Sequence, residues 1–166
     1  MKAPRTFYLL IALSCASLLG YGYYLQFFQG QEPCPLCIFQ RLAYISVVVI
    51  AFIGLVHAPA KIGMRVYSGL ITVASLIGAG IAAYQVWLQH LPADKVPECG
   101  PGLDYMLEVF SFTETLKMVF TGSGECAEVD WTFLSLSIAE WSLLCFTGLA
   151  ALAVLHTIRG RINSWL

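Results

Sequence analysis

Four long apolar segments, separated by polar stretches, set the pattern of this chain. They cover about residues 6–28, 36–57, 66–88 and 134–156, and each approaches the roughly 20 residues that an α-helix needs to cross the hydrocarbon core of a bilayer. The pattern predicts an all-α membrane protein, a bundle of four transmembrane helices that forms a single domain over residues 1–166. Composition agrees, because 58% hydrophobic and 11% charged residues lie outside the range usual for soluble domains.

The distribution of charge predicts how the bundle is oriented. All ten acidic residues fall at or beyond one face, and the helix ends at the opposite face carry Lys2, Arg5, Lys61, Arg65, Arg159 and Arg161. By the positive-inside rule the basic face is cytoplasmic, so both termini are expected in the cytoplasm. With so few cations in each cytoplasmic segment, the sequence gives no basis for nucleic-acid binding.

The first apolar segment also has the features of a secretory signal, because Lys2 and Arg5 precede it. It continues to Phe28, however, which is long for the h-region of about 7 to 15 residues in a signal peptide. We therefore expect this segment to remain in the protein as a membrane anchor.

Two external loops of different length connect the helices. The first, about residues 29–35, is too short to leave the membrane surface, whereas the second covers about residues 89–133. In the second loop, helical spacing on one apolar face predicts a short interfacial helix that carries Leu103, Met106, Leu107 and Phe110. Ser111 and Glu114 have the spacing of a capping box that opens a second short helix.

Glycines in the third apolar segment indicate close helix packing. Gly69, Gly78 and Gly80 lie among leucine, isoleucine and alanine, and small residues of this kind allow neighbouring membrane helices to approach each other.

Six cysteines occur, and the predicted topology separates them into two groups. Cys15 and Cys145 lie within apolar spans, where a cysteine usually packs as a small hydrophobic residue with an inert thiol. Cys34 and Cys37 form a Cys-x-x-Cys motif at the start of the second helix, a spacing at which two thiols close an easily reduced disulfide. Because the N-terminus of a helix stabilises a thiolate, the motif indicates a reactive Cys37.

The local sequence supports this placement of the motif. Cys34 followed by Pro35 is typical of an N-cap and the first helical position. Arg41 lies four residues after Cys37 and seven after Cys34, so the three share one helical face. Its guanidinium can stabilise a Cys37 thiolate or the negative charge that develops on a quinone oxygen. The alternative is that Arg41 is an interfacial anchor.

The two remaining cysteines, Cys99 and Cys126, lie in the long external loop. Pro97 and Gly100 flank Cys99, and Gly122 and Gly124 precede Cys126; flexible flanks of this kind suit thiol exchange. One alternative is a structural bridge across the loop, as is common in an oxidising compartment. Another is a zinc site of all four external cysteines, which a single short-spaced pair makes a poor match. We therefore expect no metal.

Together these motifs resemble the disulfide bond formation protein B (DsbB) family. The resemblance covers nearly the whole chain and is carried by Pro33-Cys34-Pro35-Leu36-Cys37-Ile38-Phe39-Gln40-Arg41, Trp87-Leu88-Gln89, Cys99, Gly124-Glu125-Cys126-Ala127-Glu128 and Trp131-Thr132-Phe133-Leu134. It implies a multi-pass protein of the bacterial inner membrane that reoxidises a periplasmic dithiol oxidase of thioredoxin fold (DsbA-like). The electrons would pass to ubiquinone, or to menaquinone under anaerobic conditions.

The resemblance also implies a role for individual residues. The redox disulfides would be Cys34–Cys37 and Cys99–Cys126, with Cys99 taking the partner in a mixed disulfide and Cys126 pairing with Cys34. Cys37 and Arg41 would meet the quinone. Some members have a histidine where this chain has Gln85. A glutamine there can hydrogen-bond a quinone carbonyl but cannot titrate, so a proton-donor role at that position is in doubt.

Two alternative functions remain open on the sequence. One is a quinone reductase driven by thiols, similar to vitamin K epoxide reductase, although the motif at the second helix favours the oxidase. The other is a non-enzymatic membrane scaffold whose external loops carry two structural disulfides.

Overall fold

The structure is a computed structural model that describes residues 3–57, 61–96, 108–111, 113–114, 117, 124–129 and 131–162. Cys99 and most of the predicted interfacial helix lie outside the described residues. Ser111 and Glu114 lie within them, and the Ser111 N–H donates to the Glu114 carboxylate at 3.2 Å, as in a capping box.

Four long helices form the molecule: α1 (Ala3–Gln29), α2 (Pro35–His57), α3 (Lys61–Gln89) and α4 (Ile138–Ile162). Short 3₁₀ turns lie at Ala93–Lys95 and Gly124–Cys126, and a hairpin joins β1 (Thr132–Phe133) to β2 (Leu136–Ser137). Each long helix has the length and apolar composition to cross a membrane. The predicted four-helix membrane bundle is therefore confirmed, and the chain is a multi-pass membrane protein.

The helices bury part of their apolar side chains between them and leave many large apolar side chains on the outside. α3 packs against α4 and α2, and α2 packs against α1. In the core, the rings of Tyr44 and Phe146 stack at 4.0 Å between centroids. Large apolar residues such as Leu10, Phe52 and Ile77 are exposed on the surface, where lipid takes the place of water around them.

Contacts between α1, α3 and α4 close the bundle at the end where α1 and α3 begin. The Phe7 ring of α1 stacks on His156 of α4 at 4.0 Å, and Ser68 of α3 hydrogen-bonds the same histidine at 3.1 Å. The Tyr8 hydroxyl donates to the Met64 carbonyl at 3.1 Å. This end, predicted to be cytoplasmic, is therefore tightly packed.

α4 begins at Ile138, later than the predicted boundary near residue 134. The cause is the hairpin, in which Leu134 and Ser135 both have positive φ, at 51° and 64°, as in the two-residue turns that join paired strands. The helix then opens on a capping box: the Ser137 N–H donates to the Glu140 carboxylate at 2.7 Å, and the Glu140 N–H donates to Ser137 Oγ at 3.3 Å. α3, in contrast, begins at Lys61, earlier than the predicted boundary near residue 66.

Of the three glycines predicted to allow close packing in α3, Gly78 is the one at a close contact. A Cβ built there would lie 2.5 Å from two ring atoms of Phe146, whereas Gly69 and Gly80 have nothing within 4 Å of that position. Phe146 is fully buried and stacked on Tyr44, so its ring has little room to move.

Gly78→Ala should therefore destabilise the bundle, since the added methyl group overlaps the Phe146 ring. We expect a loss of about 1–3 kcal/mol in the free energy of unfolding, the usual cost of overpacking a core. Reversible unfolding of the purified protein in mixed micelles measures it.

The matched control is Gly80→Ala, two residues away in the same helix. Its Cβ meets open space, so its free energy of unfolding should stay within about 0.5 kcal/mol of the parent value. Equal effects of the two substitutions would contradict the role of Gly78 in packing.

Candidate functional site

The site is built on the first turn of α2. Pro35 is the first helical residue, and Cys34 occupies the N-cap position, as the sequence predicted. The Ile38 N–H donates to the Cys34 carbonyl at 3.2 Å, and the Cys37 N–H donates to Cys34 Sγ at 3.3 Å. The Cys34 sulfur therefore caps the helix, which fixes its position relative to Cys37.

Three of the four external cysteines meet at this turn. Cys34 Sγ lies 2.7 Å from Cys37 Sγ, and Cys34 also hydrogen-bonds Cys126. The 3₁₀ turn Gly124–Cys126 packs against α2 and α3, so Cys126 is fully buried. The structure thus places Cys34 between the two other sulfurs, and Cys126 needs no large movement to reach it.

The surroundings of Cys34 favour its neutral thiol. The hydrogen bond with Cys126, the hydrogen bond with Cys37 and burial all raise the pKa of Cys34, in that order of size. A hydrogen bond that the neutral thiol donates is lost when the proton leaves, so it opposes ionisation. Cys34 is therefore the thiol that retains its proton when the pair is reduced.

Gln85 of α3 completes the polar contacts of the pair. Its Nε2 donates to Cys34 Sγ and to Cys37 Sγ, at 3.3 Å each, while its Oε1 accepts from Gln40 Nε2 at 2.7 Å. Sequence reasoning identified Gln85 but assigned nothing to Gln40. The available signal was that Gln40 is a polar residue in an apolar membrane helix, where such residues are commonly functional.

Arg41 is held by α1 through uncharged partners. Its guanidinium donates to the side-chain oxygen of Gln26 and, at 3.3 Å, to the Gly22 carbonyl, and it lies 4.8 Å from the centroid of the Tyr23 ring. Sequence reasoning missed Gln26, which also lies in an apolar span. None of these three partners carries a charge, so within the described residues they hold the cation at the membrane edge by uncharged contacts.

A cavity of about 470 Å³ extends from these residues and is lined by all four helices. Cys34, Cys37, Arg41 and Gln85 contribute polar atoms to its wall. Much of the remaining wall is apolar or aromatic and includes Leu18, Leu19, Leu25, Ile138 and Trp141. Such a cavity suits a largely apolar molecule with polar groups at one end. In the part of the chain that the structure describes, no group of three or more His, Cys, Asp or Glu residues is arranged to hold a metal.

Comparison with known proteins agrees with this arrangement of cysteines. The family model described as "Disulfide bond formation protein DsbB" matches residues 4–156. The chain belongs to the DsbB family.

Curated members of the DsbB family match along almost their whole length. Disulfide bond formation protein B of Azoarcus sp. (strain BH72) is 51% identical over 157 residues, which cover 95% of this chain and 93% of the relative. The protein of the same name from Hahella chejuensis is 49% identical over 155 residues, covering 93% and 94%. That from Methylococcus capsulatus is 48% identical over 156 residues, covering 94% and 95%.

Membership of the DsbB family makes this chain an enzyme, a disulfide oxidoreductase in the membrane. The purely structural scaffold considered from the sequence is therefore set aside.

The contact between Cys34 and Cys126 predicts a specific crosslink. In a variant with Cys37→Ala and Cys99→Ala, these two thiols are left adjacent, so a mild oxidant should join them into a disulfide in most molecules. Peptide mapping without reduction detects the bridge. The same variant with Cys126→Ala serves as the control and should show no bridge at Cys34; a Cys34 that stays reduced in the parent variant would contradict the geometry.

Proposed function

We propose that this enzyme is an inner-membrane protein dithiol:quinone oxidoreductase. It reoxidises a periplasmic thioredoxin-fold dithiol oxidase (DsbA-like) and passes the electrons to ubiquinone, or to menaquinone under anaerobic conditions, so that disulfide formation in periplasmic proteins continues. The observation that carries the proposal is the convergence of three cysteine sulfurs on the wall of an apolar cavity.

Charge at the helix ends supports the orientation. Arg5, Arg65 and Arg159 lie towards the closed end of the bundle, and Cys34, Cys37 and Cys126 lie at the other end. Under the positive-inside rule the closed end faces the cytoplasm and the cysteines face the periplasm. A periplasmic partner then has access to the loop that carries Cys99.

The thiol exchange balances as follows. A thiolate of the reduced partner attacks the Cys99–Cys126 disulfide at Cys99, which forms a mixed disulfide and releases the Cys126 thiolate. Cys126 then attacks Cys34, so that the Cys34–Cys37 disulfide breaks and Cys37 leaves as a thiolate. The second partner thiol displaces Cys99, and the partner departs oxidised. The Cys99 thiolate then attacks Cys126, which re-forms the Cys99–Cys126 disulfide and releases Cys34. The two electrons and two protons of the partner now reside on Cys34 and Cys37.

The residues around Cys37 favour it as the group that leaves. The Gln85 amide donates towards its sulfur at 3.3 Å, and a donated hydrogen bond to a thiolate is worth about 1.5–3 kcal/mol. Cys34, by contrast, keeps its proton through its contacts with the neighbouring thiols. Negative charge therefore accumulates on Cys37, which lines the cavity.

The cavity fits a quinone in size and in chemistry. Its volume of about 470 Å³ lies within the range of roughly 300–1,000 Å³ for small-molecule sites. When bound, the quinone supplies the acceptor for two electrons and two protons from the cysteine pair. Cys37, Arg41 and Gln85 would hold the ring at the polar end, and the guanidinium of Arg41 would stabilise negative charge on a ring oxygen.

An anaerobic assay tests the function. Purified protein, ubiquinone and a reduced thioredoxin-fold dithiol oxidase are mixed, and quinone absorbance is followed together with partner thiols. We expect one partner disulfide for each quinone reduced, with no turnover in Cys37→Ala and no partner oxidation in Cys99→Ala.

Cys15→Ala is the control for loss of a thiol, because Cys15 is buried in the core away from the cavity, and it should turn over at the parent rate. If the parent protein leaves both quinone and partner unchanged, the proposed function is wrong. If Cys99→Ala oxidises the partner as the parent does, the assigned order of transfer is wrong.

Arg41→Met should weaken the use of quinone while leaving thiol exchange intact. A hydrogen bond from a charged donor contributes about 1.5–3 kcal/mol. Its loss corresponds to a fall of about 10- to 100-fold in kcat/KM for quinone. The crosslink between Cys34 and Cys126 should still form. Arg65→Met, an exposed arginine near the closed end, is the control, and an equal loss in both variants would contradict a specific role for Arg41.

A further inference from the structure

Two glutamines form a hydrogen-bond chain that ends on the sulfur atoms of the cysteine pair. Gln40 Nε2 donates to Gln85 Oε1 at 2.7 Å, and Gln85 Nε2 donates to Cys34 Sγ and Cys37 Sγ at 3.3 Å each. Each glutamine is 4% exposed. Gln85 has a place in the proposed quinone site, but Gln40 so far has no function.

A primary amide presents different chemistry at its two ends. The oxygen only accepts hydrogen bonds and the NH₂ group only donates them, so a half-turn of the Gln85 amide would reverse what it offers to the sulfurs. The NH₂ group of Gln40 occupies the oxygen end of Gln85. In the reversed orientation, two NH₂ groups would face each other in a buried site, and an oxygen lone pair would face the sulfurs. Gln40 therefore disfavours the reversed orientation.

We propose that Gln40 is a positioning residue that holds the Gln85 amide with its NH₂ group towards Cys34 and Cys37, and so stabilises the Cys37 thiolate of the reduced enzyme. The proposal rests on the proposed function in one respect, that Cys34 and Cys37 are the redox pair. Gln40 acts through Gln85 rather than on the sulfurs themselves, since its hydrogen bond ends on the Gln85 oxygen.

The geometry also explains how Gln85 serves both protonation states of Cys37. As a thiol, Cys37 can donate to Gln85 Oε1, which lies 3.7 Å from its sulfur. As a thiolate, it can only accept, and Nε2 is nearer at 3.3 Å. Ionisation therefore replaces a long hydrogen bond with a shorter, charge-assisted one without movement of the backbone.

Other ionisable groups share the cavity and remain unchanged in the test. Besides the cysteines, those that line it are Tyr21, Glu32, Arg41, Tyr44, Glu125 and Glu128. A comparison between variants at Gln40 leaves all of them in place, so a difference in the ionisation of Cys37 reports on the glutamine chain.

The test is the pH profile of Cys37 alkylation in the fully reduced protein, with quinone removed. Short treatment with iodoacetamide at a series of pH values, followed by mass spectrometry of the Cys37 peptide, gives the rate at that thiol alone. Gln40→Met keeps the size of the side chain but removes the donor. We expect its profile to move to higher pH and its rate at neutral pH to fall by about tenfold.

Gln40→Glu should lower the rate further at pH values where its carboxyl group is ionised, because a carboxylate accepts a hydrogen bond from Gln85 Nε2 and turns the amide oxygen towards the sulfurs. Ser46→Ala is the matched control in the same helix, since Ser46 is exposed and its hydroxyl donates to the Leu42 carbonyl one turn earlier. Its profile should match that of the parent.

A double variant separates positioning from a general structural effect. Because Gln40 is proposed to act through Gln85, Gln40→Met combined with Gln85→Met should alkylate no more slowly than Gln85→Met alone. Additive losses, or a Gln40→Met profile within twofold of the parent in protein that melts at the parent temperature, would overturn the proposal.

Measurement of the alkylation profile needs neither quinone nor partner. The role of Gln40 is therefore tested separately from the proposed function. If the parent oxidises a dithiol partner and Gln40→Met has the parent profile, the proposed function stands and the role of Gln40 is wrong. If the parent oxidises no partner, the proposed function fails, and a shifted Gln40→Met profile still supports the positioning role.

Discussion

The structure depends on the cost of placing polar atoms against an apolar bundle. A buried polar group without a hydrogen bond lowers the stability of the fold by about 1–3 kcal/mol. Within the hydrocarbon core, no water is available to supply the missing partner. The polar side chains of the site meet this constraint by bonding one another. Among the described residues, Ser75 Oγ is the buried side-chain atom that lacks a partner, and it lies in α3 away from the cavity.

The same constraint determines how the helices are joined at the site. Gln40 and Gln85 connect α2 to α3, and Arg41 connects α2 to α1 through Gln26. α2 therefore carries the polar side chains that hydrogen-bond to both α1 and α3. At the opposite end, the Phe7 ring of α1 stacks on His156 of α4. The bundle is thus closed at one end, while at the other its polar bonds line a cavity that is otherwise largely apolar.

Much of this arrangement could be predicted from local sequence. The four spans follow from the length of the apolar runs, and the N-cap at Cys34 follows from the proline after it. These features depend on residues that are close together along the chain, and a single sequence shows such residues directly. The Ser137–Glu140 capping box was equally visible, and it would have placed the start of α4 correctly. It was obscured by the apolar residues Leu134 and Leu136, which precede it and extend the apolar segment.

The contacts between helices could not be predicted in the same way. Gln40 and Gln85 are 45 residues apart, and Arg41 and Gln26 are 15 apart across the first loop. Their pairing depends on how each helix is rotated about its own axis. Because each helix is apolar on all sides, the sequence pattern does not show which side faces its neighbours. Gly78 shows the same limit, since its glycine neighbours were equivalent candidates until the position of Phe146 was known. The role of Cys99 and the interfacial helix remain predictions, because both lie in a part of the loop that the structure does not describe.

The position of Cys34 gives the proposed transfer its order. As the helix cap it is held by the backbone of α2, and its sulfur is in contact with both Cys126 and Cys37. A disulfide exchange needs the attacking sulfur, the attacked sulfur and the leaving sulfur close together, and here Cys34 is the central one of the three. Cys37 is the member that lies against Gln85 and lines the cavity, so charge released by an attack on Cys34 arises beside the acceptor site. In the proposed mechanism, the capping geometry that begins α2 would thus also direct electrons from the loop towards the membrane.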